Sequence, residues 1–208
     1  MDDASLLYAK AHKQNFVKRV VADKIMVPDK VAIFMAGSPG AGKTEVATAL
    51  AELSDNLCII DADDFQKGAS WLVDHAFTHL LKEGYSFILD GTFAIGKSTQ
   101  NIQRAIKRNY EVSLYYVYQD PFIAWQFTKE REKAEGRFVP KERFINAYFK
   151  SRENIAKVKE IFGDAVELIV IFKDYENKIS EVLEDVENID LILPKQYTVE
   201  ELEENLDG

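Results

Sequence analysis

The chain has 208 residues, a formal net charge of −9, 47% hydrophobic and 29% charged residues, which leaves room for one large domain and excludes disorder over most of its length. No apolar run approaches the ~20 residues of a membrane-spanning helix, and the acidic start MDDASLLYAK is not the basic leader of a secretory signal. A single cysteine, Cys58, lies in an apolar run, so a reducing, cytoplasmic setting is expected.

The charge is uneven. Residues 174–208 hold 12 acidic and 2 basic side chains, whereas the other 173 residues hold 23 acidic and 24 basic ones. A near-neutral body with an acidic tail has no surplus of cations for phosphate contacts, so nucleic acid is an unlikely partner unless one local groove is basic.

In chain order, residues 5–26 read as an additional N-terminal helix, giving an extension over 1–27 ahead of a core over 28–173. Apolar runs at 31–36 (VAIFMA), 57–60 (LCII), 85–89 (YSFIL), 112–118 (VSLYYVY) and 166–172 (VELIVIF) read as strands. Their nearly continuous hydrophobicity is that of parallel strands covered on both faces. Helical spacing falls between them. Val46, Ala49, Leu50 and Leu53 share a face, as do Val73, Phe77, Leu80 and Leu81 before Gly84. Residues 97–108 present Ile102, Ala105 and Ile106; Pro140 suits a first helical position, ahead of Phe144, Tyr148, Ser151, Ile155, Val158 and Phe162. The alternation predicts an α/β fold of the P-loop kinase type, a doubly wound five-stranded parallel sheet with helices on both faces.

Gly37-Ser38-Pro39-Gly40-Ala41-Gly42-Lys43-Thr44 is a complete GxxxxGK(S/T) pattern between the first strand and an amphipathic helix, the context that gives the motif its meaning. Glycines allow successive backbone N–H groups to face phosphate oxygens, with the positive end of the helix dipole behind them. Lys43 then reaches the β- and γ-phosphates and the Thr44 hydroxyl ligates Mg²⁺. A nucleoside triphosphate is expected; no NKxD guanine-reading motif occurs, since Asn177-Lys178-Ile179-Ser180 breaks at its last position, so ATP is favoured.

The second strand ends in Asp61-Ala62-Asp63-Asp64, at the sheet edge that borders the ligand crevice of open α/β folds. A carboxylate there can take the proton of an attacking hydroxyl, and Asp63 and Asp61 can divide base and substrate-binding work; the alternative is acidic capping of the next helix. A calcium loop fails, with Gln66 where glycine is needed and Leu72 where glutamate is needed. The third strand ends in Leu89-Asp90-Gly91-Thr92, where Asp90 resembles the carboxylate that holds Mg²⁺ directly or through water. Residues 128–140 are dense in charge, and Arg131 and Arg137, with Gly136 as hinge, are candidates to offset charge on a transferring phosphate.

Together GSPGAGKTE, IIDADDF, FILDGTF and the GR-x-x-P segment resemble the zeta toxin family of P-loop kinases, from about Pro28 to Phe172. The resemblance implies transfer of the ATP γ-phosphate, with Mg²⁺, to the 3′-hydroxyl of the sugar of UDP-N-acetylglucosamine. It also implies Asp63 as base, Lys43 on the phosphates, Thr44 on the metal, Thr92 on the substrate, Arg131 and Arg137 on the transferring phosphate, and an antitoxin as partner. Asp90 stands where the family commonly has glutamate, and Gln66 where a basic residue is usual. The rival readings are a 5′-hydroxyl polynucleotide kinase and a nucleotide-driven switch whose output is a binding partner.

Smaller features have bland readings. His75 and His79 are four apart on one helix but lack a third ligand in view, and Trp71, Trp125 and Tyr115-Tyr116 suit core packing better than base stacking. In the acidic tail, Thr198-x-x-Glu201 forms a capping box before Leu202 and Leu206. That tail is expected either to lie in solvent or to dock on the phosphate site and restrain it.

Overall fold

The computed structural model describes residues 3–61, 69–176 and 178–206. Helix α1 (Asp3–Val20) leads into strand β1 (Val31–Ala36), α2 (Lys43–Glu52), β2 (Cys58–Asp61), α3 (Ala69–Glu83), β3 (Phe87–Asp90), α4 (Ser98–Ile106) and β4 (Glu111–Tyr118). Two consecutive helices follow, α5 (Pro121–Glu135) and α6 (Lys141–Phe162), then β5 (Glu167–Lys173), β6 (Ile179–Leu183) and α7 (Val199–Asn205).

The sheet order is β2-β3-β1-β4-β5-β6. The first five strands are all parallel, as their apolar runs predict, and β6 is antiparallel to β5. The expected five-stranded sheet is thus a six-stranded mixed one. The extra strand, Ile179-Ser180-Glu181-Val182-Leu183, has its first four residues exposed. An edge strand with one neighbour and wet faces needs no apolar run, which is why its charge concealed it.

Side-chain alternation along β1 assigns its two faces. Ala32, Phe34 and Ala36 join a core with residues of α1, α3, α4 and α6. Ile33 and Met35 point into a second core with Val46 and Ala47 of α2. The N-terminal helix, ending at Val20, lies against α3 and buries Ala9, Phe16 and Val17.

The acidic C-terminal segment is not a solvated tail. After β6, Ile189 enters the first core, and Arg152 of α6 pairs with Asp190 at 2.6 Å. The capping box on α7 forms in full, Thr198 with Glu201. The leucine face does not dock on the phosphate loop either: Leu202 and Leu206 are buried with Trp125 of α5 and Phe144, Ile145 and Tyr148 of α6. The apolar side of the helix decides its docking, and its carboxylates remain outside.

Candidate active site

The phosphate loop leaves β1 at the centre of the sheet, with β3 on one side and β4 on the other. From β1 the chain goes out to the edge strand β2, returns to β3 and then crosses to β4, so the carboxyl ends of β1 and β4 border the crevice of a doubly wound sheet. Gly37, Gly40 and Gly42 all have positive φ, at 131°, 76° and 83°, a region that costs other L-residues ~1–2 kcal/mol. Two of them are also held by close neighbours. A Cβ on Gly37 would lie 2.3 Å from the Val117 carbonyl oxygen of β4, and one on Gly40 would lie 2.1 Å from that of Ala124 in α5. The cradle is therefore wedged against β4 at Gly37 and against α5 at Gly40, with no space for a side chain at either position.

Gly42 caps α2 without offering a side chain to its first-turn amides, and helix-terminal N–H groups of this kind favour anions. Lys43 is 8% exposed and its ammonium donates to the Ser38 carbonyl oxygen at 2.6 Å. Burial pushes its pKa down to about 8, against the opposing pull of Asp90, Glu45 and Asp61, while Arg131 pushes it further down. Thr44 Oγ1 donates to Asp90 Oδ2 at 2.7 Å, joining the start of α2 to the end of β3, and Asp90 is itself buried. A hydroxyl beside a buried carboxylate is a pair of hard oxygen donors, which fits Mg²⁺.

The loop after β3 is also tied in. The Gly37 amide donates to the Thr92 carbonyl oxygen at 3.3 Å, and Thr92 Oγ1 accepts from the Ala94 amide at 3.4 Å. Phe93, beside it, has φ of 59°. For a bulky residue this is strained backbone. Its carbonyl is held by Ser98 Oγ at 2.9 Å and by Asn154 Nδ2 of α6 at 2.7 Å, and its ring packs edge-on to Phe34.

Most of the charged 128–140 segment lies within α5, which ends at Gly136 in the left-handed region. Pro140 is the N-cap of α6 rather than its first helical residue. Ala124, Thr128 and Arg131 fall at i, i+4 and i+7, one helix face. Ala124 and Thr128 abut Gly40, so the same face carries Arg131 toward the loop, in keeping with its influence on Lys43. Arg131 Nε and an Arg137 guanidinium nitrogen both approach Glu135 Oε2, at 3.6 and 3.8 Å. The two arginines converge on one carboxylate oxygen at a half-exposed surface.

Of the aspartate corner, Asp61 ends β2 beside Asp90, its register partner in β3, and its charge is felt at Lys43. Asp63 lies outside the described residues. Sequence reasoning missed Glu135, although its four-residue spacing from Arg131 signals an ion pair, and it missed the packing of Ala124 and Thr128 on Gly40, which has no local signal. His75 stacks on Trp71, and among the described residues no three potential ligands could hold a metal ion. Trp125 is buried against Phe144, as expected of a core residue.

The zeta toxin family model matches residues 18–68 and 65–185, more than half of the chain. The chain belongs to the zeta toxin family. It is accordingly a nucleotide-binding protein of the P-loop kinase class. No curated protein sequence matches it at a significant level. Among solved structures, the fold resembles one from the PezAT chromosomal toxin–antitoxin system of Streptococcus pneumoniae, with a TM-score of 0.70 and 17% identity, covering 98% of this chain and 93% of that one. It also resembles the AvrRxo1-ORF1:AvrRxo1-ORF2 complex solved with sulphate, TM-score 0.61 and 16% identity over 88% of this chain and 67% of that one. The same complex solved with ATP gives a TM-score of 0.60 and 14% identity over 89% and 68%. Among the described residues of this zeta toxin family member, no helix is long and apolar enough to cross a membrane.

Proposed function

We propose that this protein transfers the γ-phosphate of ATP to a sugar hydroxyl of a UDP-N-acetylglucosamine-like acceptor, and that an antitoxin protein restrains it in the cytoplasm. The observation that supports the kinase part is the meeting, at one crevice, of a buried Lys43, the Thr44–Asp90 pair and the charge of Arg131 from α5, which is felt at Lys43. Each is a device for charge rather than for covalent chemistry, which is what phosphoryl transfer asks of a protein.

In this reading the amides of residues 37–44 hold the phosphates, and Lys43 gives up the Ser38 carbonyl to reach them. A bound anion favours the charged lysine and returns its pKa toward the ordinary range. Thr44 and Asp90 would hold Mg²⁺, which would neutralise charge on the phosphate oxygens. Asp63 accepts the proton of the acceptor hydroxyl, while Asp61 and Thr92 orient the acceptor. Arg131 and Arg137 exchange Glu135 for the equatorial oxygens of the phosphoryl group as charge spreads over them. Their half-exposed bridges to Glu135 are weak enough to be exchanged.

The test separates chemistry from binding. Asp63→Asn is expected to lower transfer on the order of a hundredfold or more while leaving ATP affinity within a few-fold of the parent. Transfer at the parental rate would remove Asp63 as the base. Sustained ATP hydrolysis with no acceptor consumed would point to a nucleotide-driven switch.

A further inference from the structure

The acidic C-terminal segment holds the helix that carries Arg131. Asp120, the N-cap of α5, accepts from the amides of Phe122 and Ile123 with Oδ1 and from the Tyr197 hydroxyl with Oδ2 at 3.4 Å. The Tyr197 amide donates to the Tyr148 hydroxyl of α6 at 3.3 Å, and its ring packs edge-on to Phe122 at 4.9 Å. One turn further on, Leu202 and Leu206 close a cluster with Ala124 and Trp125. Lys141, at the start of α6, donates to the Glu203 carbonyl oxygen. The segment thus grips the N-terminal half of α5 and the N-terminal half of α6. The Ala124 carbonyl in that half of α5 abuts Gly40, and two turns further along the helix stands Arg131.

We propose that Tyr197, Leu202 and Leu206 are positioning residues: they seat α5 against the phosphate loop and so fix where Arg131 stands relative to Lys43. The arrangement suits that role. Ala124, next to Trp125 in the chain, is fully buried and meets the loop at Gly40 through its backbone carbonyl. A helix displaced by about 1 Å would move a guanidinium on its far end by at least as much, and misplacement of that size can cost on the order of a hundredfold in rate. The effect runs opposite to a tail that blocks the site: weakening this contact lowers turnover.

The inference rests on the kinase reading for its rate assay, so the experiment contains a readout that does not. In full-length protein, Leu202→Ala/Leu206→Ala is expected to lower kcat for ATP turnover about tenfold or more, with KM for ATP within about threefold. In an Arg131→Ala background the same pair is expected to cost little more, because residues acting through one group are not additive. Equal rates, or an equal cost in both backgrounds, would overturn the proposal. Tyr197→Phe, which removes one hydroxyl, gives a smaller loss of the same pattern should the double variant fold poorly, and the conservative Leu202→Met is expected to keep the parental rate. Independently, Trp125 emission in Trp71→Phe protein is expected to shift to the red in the leucine variant. An unshifted spectrum overturns the brace whether or not phosphate moves, whereas a shifted spectrum with no turnover even in the parent rejects the kinase reading alone.

Discussion

Replacing Gly40 by alanine separates two costs that the phosphate loop combines. The first is backbone conformation: Gly40 has φ of 76°, a region that costs an L-residue ~1–2 kcal/mol. The second is space, since the new Cβ would lie 2.1 Å from the Ala124 carbonyl oxygen, far inside the ordinary contact range that begins at 3.4 Å. Loop and helix must part by about 1 Å, an overpacking that costs roughly 1–3 kcal/mol more. Gly136 is the internal control. It has φ of 70° and nothing within 4 Å of an added Cβ, so Gly136→Ala carries the first cost alone. At roughly 2–4 °C per kcal/mol for a chain of this size, Gly136→Ala is expected to lower Tm by about 2–8 °C and Gly40→Ala by about 4–20 °C. ATP at a hundred times its Kd stabilises the parent by ~2.7 kcal/mol, and the corresponding rise in Tm should persist in Gly136→Ala and vanish in Gly40→Ala. Differential scanning fluorimetry with and without ATP reads both quantities. A Gly40→Ala protein as stable as Gly136→Ala, and still stabilised by ATP, would refute the wedged cradle.

Other expectations follow from single groups. Lys43 has its pKa lowered from 10.5 to about 8, so between those values the unfolded chain binds the extra proton and stability rises with pH. The penalty is fully present at neutral pH, and Lys43→Met is expected to stabilise the apo protein there by on the order of 3 kcal/mol while abolishing ATP binding; a destabilised variant in denaturant titration would contradict the burial argument. With free enzyme, kcat/KM is expected to fall as pH rises through about 8, because the uncharged amine cannot hold phosphate. Asp90→Asn keeps an acceptor for Thr44 and should fold normally, yet lose at least tenfold in turnover and require more Mg²⁺. Unchanged Mg²⁺ dependence would exclude Asp90 from the metal site. Glu135→Gln removes one counter-charge from beside both arginines, and is expected to tighten inhibition by inorganic phosphate a few-fold, measured by competition with ATP.

Much of this was legible in the sequence because the signals are local. A glycine-rich loop between an apolar run and an amphipathic helix identifies itself, and strands buried on both faces leave continuous hydrophobicity in β1, β3, β4 and β5. What was illegible depends on distant partners. Strand β6 is an edge with polar faces, so its residues read as part of a charged tail. Leu202 and Leu206 signal an apolar face but not which helix receives it. Phe93 in a left-handed conformation carries no local warning, since its strain is held by Asn154 sixty-one residues away. The charge density of residues 128–140 is plain in the sequence, whereas the convergence of Arg131 and Arg137 on Glu135 follows from where α5 ends.

The most direct test of the proposed activity is to offer γ-labelled ATP with Mg²⁺ to UDP-N-acetylglucosamine, free sugars, nucleosides and short RNA in parallel, using Lys43→Ala as the inactive control. Label on the UDP-sugar from the parent protein, and none from the control, is the predicted result. Label confined to RNA 5′ ends, or released only as inorganic phosphate, would contradict it.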